Sequence, residues 1–205
     1  MSVDARLRTL SKGKVTLDDF AKRFHQGGKQ GEIRLYDRAD VMQTLEAVQP
    51  GDWDTFIGNR LDARDGKAPD GLKAAGWELY FSDAPNLVVA DGEADGATDL
   101  QYSLGLKAGS DGVLQSVGWE SPAFKAGLAK DMTVVAVNNL AYSGARLKQA
   151  VVDAKQGGTS IELIVRQADS FRTLRIDYRQ GLRYPHLRRI EGSADLLTKI
   201  LAARR

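Results

Sequence analysis

An acidic stretch near the middle of the chain has the residue types of a cation site. Residues 91–99 read DGEADGATD, with side-chain oxygens at positions 1, 3, 5 and 9 and a glycine at position 6, as in the first half of a calcium loop. Position 12 is Tyr102 rather than glutamate, and predicted strands rather than helices flank the stretch. The sequence therefore favours an acidic surface loop over a calcium site.

The two histidines are the other candidates for metal or acid–base chemistry. His25 follows Asp18 and Asp19 near the end of a predicted helix, and His186 stands apart among arginines. Cysteine is absent, which excludes thiolate ligands and cysteine nucleophiles, and the sequence contains no H-E-x-x-H pair. We predict no catalytic residue and no metal site in this chain, and therefore no enzyme activity of the chain alone.

The amino-acid composition and the distribution of charge argue against nucleic-acid and membrane partners. Apolar residues make up 42% and charged residues 27% of 205 residues, an ordinary globular balance without a long apolar run. Residues 179–205 carry seven Lys/Arg against two acidic residues, a local +5 in a chain of net +2. Because aromatic interleaving and recognition motifs are lacking, we expect no nucleic-acid partner and no membrane partner.

The first ~80 residues have helical patterns. Leu17, Phe20, Ala21 and Phe24 follow the spacing of a buried helix face after Thr16, and Gly27-Gly28 would end that helix. Further helices are predicted to begin near Asp37 or Ala39, near Asp52, and shortly before Gly76, which leads into the strand WELYF.

After residue 82 the pattern changes to short alternating runs. Strands are predicted near 86–90, 102–106, 112–118, 132–138, 160–167 and 171–178, with helices at 121–126 and 145–156 and a last helix capped by Ser193. The fold class is therefore α+β. We predict a helical subdomain at 1–82, a β-rich domain at 83–180 and a basic tail with a terminal helix at 181–205.

The stretch ESPAFKAGLAKDMTVVAVNN, residues 120–139, combines several local signals. Ser121 suits a helix N-cap, Pro122 the first helical position, and Gly127 a left-handed helix end. Asn138-Asn139 suits the tight turn that would follow the next strand.

In this order, these motifs resemble a PDZ domain over about residues 83–180. The resemblance rests on Ser103-Leu104-Gly105-Leu106, then a strand, then Ser121-Pro122-Ala123 with Ala126-Gly127-Leu128, then a strand ending at Asn138. It implies a partly open β-barrel with two helices. Lys130 stands where the family usually has glycine, and the segment 83–102 has no simple counterpart.

The resemblance also implies a peptide site, for which the candidate residues are Ser103, Leu104, Gly105, Leu106, Leu147 and Val151. An extended peptide would add as a strand along Gly105-Leu106, and backbone N–H groups near Leu104 to Leu106 would receive its terminal carboxylate. Gly105 would allow close approach of the ligand. The alternative interpretation is that the four apolar side chains simply fill the core. Gly144 and Ala145 stand where many relatives carry a hydroxyl-reading histidine, so a preference for Ser or Thr is not expected.

The helical stretches DARLRTLSKGKVTLDDFAKRF, DVMQTLEAV and GDWDTFIGNRLD resemble the C-terminal helical part of the glycyl aminopeptidase family, whose members are zinc peptidases with a PDZ domain. The resemblance implies that this chain is the non-catalytic C-terminal part of such an enzyme. Zinc would then be bound outside this chain, and the partners would be peptide or protein C-termini or the parent catalytic domain. The alternatives are a self-contained peptide-binding adaptor and a metal-dependent enzyme in its own right.

Overall fold

The structure, a computed structural model, describes residues 1–26, 33, 35–62, 70–157 and 160–202. It divides into a helical unit, Met1–Leu79 with Leu187–Arg205, and a β-rich unit, Tyr80–His186. Residues 181–205 were predicted to form a separate tail, whereas the chain from Leu187 onward groups with the helices in the structure.

Helices and strands alternate irregularly along the described residues. The helices are α1 (Ser2–Leu10), α2 (Leu17–Phe24), α3 (Arg38–Val48), α4 (Trp53–Leu61), α5 (Gly71–Ala74), α6 (Leu87–Gly92), α7 (Pro122–Lys125), α8 (Gly144–Lys155) and α9 (Leu196–Leu201). The strands are β1 (Trp77–Ser82), β2 (Thr98–Leu100), β3 (Leu106–Ala108), β4 (Leu114–Val117), β5 (Thr133–Val137), β6 (Leu140–Ala141), β7 (Ile161–Gln167), β8 (Ser170–Ile176) and β9 (Tyr184–Arg189). Within these ranges, no helix is both long and apolar enough to cross a bilayer.

Side-chain caps begin the helices of the helical unit at the predicted positions. The backbone N–H of Thr16 donates to the Asp19 side chain at 2.8 Å in front of α2. Before α3, the backbone N–H of Asp37 donates to the Asp40 side chain and the backbone N–H of Asp40 donates to the Asp37 side chain, both at 3.0 Å. Asp52 accepts from the N–H of Thr55 at the start of α4. Gly27-Gly28, the predicted end of α2, lies outside the described residues.

The helical unit contains two apolar clusters. Leu7, Leu45 and Trp53 are buried in the first, and Ala5, Ala75 and Leu197 in the second. The predicted buried face of α2 is only partly correct, because none of its residues is fully buried and Leu17 is 37% exposed.

The β-rich unit contains a three-stranded sheet in the order β2-β3-β4 and a four-stranded sheet in the order β6-β5-β7-β8, and every pair within them is antiparallel. Strands β1 and β9 form a separate two-stranded sheet. The left-handed turn at Asn138 and Asn139 joins β5 to β6 as predicted. The predicted α+β class is therefore confirmed, with helices first, antiparallel sheets next and a helix at the C-terminal end.

Three local predictions are wrong. Residues 86–90 were expected to be a strand, but the Asn86 side chain accepts from the N–H of Val89 and starts helix α6. The last helix is capped by Asp195, which accepts from Thr198, and not by Ser193. Residues 102–105 form turns, so the predicted strand at 102–106 is present only from Leu106 onward.

Candidate functional site

The loop 101–105 connects β2 to β3 and carries the predicted carboxylate-binding amides. The backbone N–H groups of Ser103 and Gly105 both donate to the carbonyl oxygen of Leu100, at 3.0 and 2.9 Å. Of the amides predicted near Leu104 to Leu106, that of Gly105 is therefore already bound to an oxygen of the chain itself, together with the amide of Ser103, which was not predicted for this role.

The segment around α7 is hydrogen-bonded to this loop. The N–H of Ala123 donates to the carbonyl of Leu104 at 2.9 Å, and the N–H of Gly118 donates to the carbonyl of Gly105 at 2.7 Å. Gly105 has φ +80°, and a Cβ built on it would lie 2.1 Å from the Cβ of Ser121. The helix cap at Ser121 therefore requires a residue without a Cβ at position 105. The short helix α7 positions the loop through these contacts.

Strand β2 pairs along the edge of β3 where an added peptide strand was expected. Thr98 is opposite Ala108, Asp99 opposite Lys107 and Leu100 opposite Leu106, in antiparallel register. Since β4 pairs with the other edge of β3, both edges of β3 are occupied within the described part of the chain. The segment 83–102, which has no simple counterpart in the resemblance, thus contributes a strand at this position.

The first residue of helix α8 contacts Thr98 of β2. A Cβ built on Gly144, the first residue of α8, would lie 2.0 Å from the hydroxyl oxygen of Thr98. Thr98 is 1% exposed, and its side chain occupies the space that a larger residue at position 144 would need. We call the space between β3 and α8, occupied here by β2, the β3–α8 groove.

Tyr142 contacts the loop that follows β3. Its hydroxyl donates to the carbonyl of Gly109 at 3.1 Å. Burial raises the pKa of the Tyr142 phenol. No hydroxyl preference was expected, because Gly144 and Ala145 stand where a hydroxyl-reading histidine would be. In the structure a threonine hydroxyl of the chain itself lies against Gly144.

The apolar residues predicted to line the peptide pocket belong to one core cluster. Leu104, Leu106, Leu147 and Val151 are all fully buried, and fully buried Leu100 of β2 is in the same cluster. The structure thus brings these four predicted side chains together and adds Leu100 of the chain itself. Ligand binding by Ser103, Leu104, Gly105, Leu106, Leu147 and Val151 stays a prediction.

Glu93 fixes the chain ahead of β2, a role that the sequence analysis did not identify. One carboxylate oxygen accepts from the N–H of Asp99 at 2.7 Å, and the other forms an ion pair with Lys148 of α8 at 2.6 Å. The Glu93 side chain is only 12% exposed. A long-range pair of this kind gives no signal in local sequence spacing, because 55 residues separate its members.

A cavity of about 610 Å³ lies beside the loop. Its lining includes Phe81, Tyr102, Ser103 and Arg183, and the Arg183 guanidinium lies 4.3 Å from the centre of the Phe81 ring. The buried Ser103 hydroxyl accepts from the backbone N–H of Arg183 at 3.0 Å. Ser103 therefore connects the loop to the chain near β9.

Among the residues described, neither histidine belongs to a group of side chains that could hold a metal ion. His186 Nε2 lies 2.9 Å from both the Ser82 hydroxyl and the Ala84 carbonyl, and its ring stacks on Tyr80. His25 follows α2 and contacts the edge of Phe24. Within the described ranges, no group of three or more His, Asp or Glu side chains could hold a metal ion, the acidic stretch 91–99 included.

Trp119 lies just before the turn that leads into α7, with its side chain largely in solvent. It is 78% exposed, and its ring contacts Phe124 at 4.5 Å between centroids. Glu120, which follows it, has φ +55° at the turn that leads into α7.

This architecture is shared with part of a larger solved protein. No protein-family model matches the sequence, and no curated protein matches it. The chain is similar in structure to an aminopeptidase N family protein from Idiomarina loihiensis, with a TM-score of 0.59 and 18% identity over 93% of this chain. The matched region is 33% of that protein, so this chain spans about a third of its length.

The β-rich part also aligns with a PDZ domain, that of HtrA3, solved with a phage-derived ligand (FGRWV). The alignment has 15% identity and a TM-score of 0.29, and it covers 55% of this chain and 92% of that domain.

Proposed function

We propose that this chain is the non-catalytic C-terminal part of a zinc aminopeptidase of the glycyl aminopeptidase type. The observation that carries the proposal is the alignment of 93% of the chain, the helices and the β-rich unit together, with one third of an aminopeptidase N family protein. One aminopeptidase N family protein aligns with both units of this chain. A shared parent architecture accounts for this better than two separate resemblances.

The residues of this chain do not fit a catalytic zinc site. Zinc peptidases of this kind need three nitrogen or carboxylate ligands and an open fourth position. The sequence has only His25 and His186, and the described residues contain no suitable cluster. In this proposal zinc and the bond-cleaving groups belong to polypeptide outside this chain. The contribution of this chain is a helical wall and a PDZ-like unit.

The alternative, a self-contained receptor for peptide C-termini, has one observation against it. A receptor needs a free strand edge at its groove, and the corresponding edge of β3 pairs with β2. The PDZ-like unit is therefore proposed to have an intramolecular role in the state described here.

The test compares the 205-residue chain with the polypeptide that cells produce. Antibodies against this chain should isolate a native polypeptide roughly three times as long, as the one-third coverage implies. That polypeptide should contain stoichiometric zinc by elemental analysis and hydrolyse aminoacyl p-nitroanilides. The 205-residue chain should do neither, with or without added zinc.

Two outcomes would overturn the proposal. One is a native polypeptide of 205 residues, and the other is stoichiometric zinc with hydrolysis by the 205-residue chain alone. Removing zinc from the longer polypeptide by chelation serves as the control, since it should abolish hydrolysis and leave the unfolding of the β-rich unit unchanged.

A further inference from the structure

We propose that the cavity beside the loop 101–105 binds a small aromatic carboxylate, with the Arg183 guanidinium pairing with the carboxylate and the Tyr102 ring packing on the aromatic group. This inference concerns the β-rich unit alone, because the lining of the cavity runs from Phe81 to Arg183. It does not depend on whether a catalytic domain precedes the chain.

The cavity is separate from the β3–α8 groove. Its described lining comes from the end of β1, the loop 101–105, the start of α7 and the segment 177–183, and includes no residue of β3 or α8. Its volume of about 610 Å³ is in the range of small-molecule sites. A ligand here therefore leaves the pairing of β2 with β3 unchanged.

Arg183 is fixed on the wall of this cavity. Its Nη1 donates to the side-chain oxygen of Gln180 at 2.7 Å, and its guanidinium carbon lies over the Phe81 ring, 4.3 Å from the ring centre. Its backbone N–H donates to the buried Ser103 hydroxyl at 3.0 Å. Because the guanidinium is already held in place, little side-chain entropy is lost when it binds a ligand.

The charge of Arg183 has no carboxylate partner in the described part of the chain. Gln180 and Phe81 are neutral, and Asp177, which also lines the cavity, is paired with Arg179 at 3.4 Å. Two arginines against one aspartate leave the cavity with a single excess positive charge, which favours a monoanion.

The geometry of the guanidinium favours a carboxylate. Gln180 uses Nη1, and the Nε and Nη2 atoms of Arg183 make no hydrogen bond to the described residues. These two atoms form one edge of the planar guanidinium, and their parallel N–H groups match the two oxygens of a carboxylate.

Tyr102 supplies an aromatic surface next to this charge. It is 53% exposed, and its ring centre lies 5.7 Å from that of Phe81. Since Phe81 contacts both the guanidinium and the Tyr102 ring, one small molecule can reach both. A ring on the ligand would pack against Tyr102 in an offset or edge-to-face arrangement.

The experiment titrates the whole isotope-labelled chain with hydrocinnamate and follows the backbone amide signals by NMR. Signals of residues 101–105 and 179–183 should shift saturably, with a dissociation constant on the order of millimolar for so small a probe. Hydrocinnamide has the ring without the charge, and propionate has the charge without the ring. Each should bind about tenfold more weakly than hydrocinnamate.

Arg183→Gln should weaken hydrocinnamate binding about tenfold, because it removes both the charge and the paired N–H groups. The backbone contact with Ser103 is kept. Arg172→Gln is the matched control, since Arg172 also donates to a glutamine side chain, that of Gln167, but lies in β8 and does not line the cavity. Its affinity should stay within about twofold of that of the unmodified chain.

Tyr102→Ala tests the aromatic contact. It should weaken hydrocinnamate binding about fivefold and leave propionate binding unchanged, because only the ring contact is removed. A distorted loop would weaken both probes equally, and that result would overturn the role of Tyr102.

Four results would overturn the proposal as a whole. They are no saturable binding of hydrocinnamate to the folded chain, equal binding of hydrocinnamide, shifts confined to β3 and α8, and an equal effect of Arg183→Gln and Arg172→Gln. Tighter binding of phenylphosphonate as the dianion would overturn the assignment to monocarboxylates.

Arg183→Lys covers the case in which Arg183→Gln does not fold. It keeps the charge but lacks the paired N–H groups, and it should weaken hydrocinnamate binding about threefold. Unchanged affinity in this variant would overturn the role of the guanidinium.

Discussion

At the scale of single residues, Gly105 shows why a recognisable motif can have another physical cause than the expected one. The resemblance implies that a glycine there admits a ligand. In the structure its positive φ and its contact with Ser121 already require a residue without a Cβ.

Gly105→Ala should therefore destabilise the chain even where no ligand is present. We expect a loss of about 3 kcal/mol or more in the free energy of unfolding, from a strained φ and a steric clash together. Gly127→Ala is the control, because Gly127 has φ +92° but its built Cβ meets nothing closer than 3.9 Å. It should cost about 1 kcal/mol. Equal losses in urea denaturation would show that the contact with Ser121 is unimportant.

Tyr184 makes the stability of the chain depend on pH in the alkaline range. Burial, and then the negative charges of Glu93 and Asp99, raises the pKa of this phenol to about 12. Because the folded-state pKa is above the ordinary value of about 10, the stabilisation is complete below pH ~10 and is lost as pH rises through 12.

Unfolding of the chain should accordingly become easier between pH 10 and 12 by about 2 kcal/mol more than in Tyr184→Phe. The two chains should have parallel stability profiles below pH ~9. Urea denaturation across this range measures the difference. Parallel profiles up to pH 12 would contradict the assigned environment of Tyr184.

At the scale of elements, short caps and turns account for both the successes and the failures of prediction. Ser121 and Pro122 start α7, and Asp37 and Asp52 start α3 and α4, because capping depends on nearest neighbours in sequence. Helix α6 was missed because its apolar residues Leu87 to Val89 match a strand pattern, although Asn86 is an effective cap.

Asn86→Ala should destabilise the β-rich unit by about 1–2 kcal/mol, since it removes the cap of α6 and the hydrogen bond to the carbonyl of Pro185. Asn86→Asp keeps an acceptor for the cap but loses the donor. It should recover part of the loss. Thermal unfolding followed by circular dichroism distinguishes the three chains, and identical values for both variants would assign the whole effect to the Pro185 contact.

The candidate site likewise has parts that could be predicted from the sequence and parts that could not. Loop residues 103–106 and the buried leucines could be identified from sequence because a motif and a periodic helix face carry them. Strand β2 could not, since three residues give no periodicity and its partners Ala108, Lys107 and Leu106 are fixed only by the fold. The Thr98–Gly144 and Glu93–Lys148 contacts are likewise tertiary and have no local signature.

At the scale of the whole molecule, each unit has buried residues of its own. The large core cluster lies entirely between Leu100 and Tyr178, and both clusters of the helical unit lie outside this range. A self-contained core is the main requirement for independent folding.

A fragment comprising residues 76–190 should therefore fold, with dispersed NMR amide signals and cooperative unfolding. It keeps β1 and β9 together with the whole large core. A fragment of residues 101–186 lacks β2 and Leu100, and should be markedly less stable. Failure of the longer fragment to fold would show that the β-rich unit needs the helices for its stability.

The tether between β2 and β3 has one consequence for any search for ligands. Five residues join Leu100 to Leu106, so the strand is held at its docking position with an effective concentration on the order of millimolar or above. A soluble competitor at micromolar concentration is far below the effective concentration of β2 at this edge. Any peptide strand at this edge of β3 would therefore require β2 to leave it first.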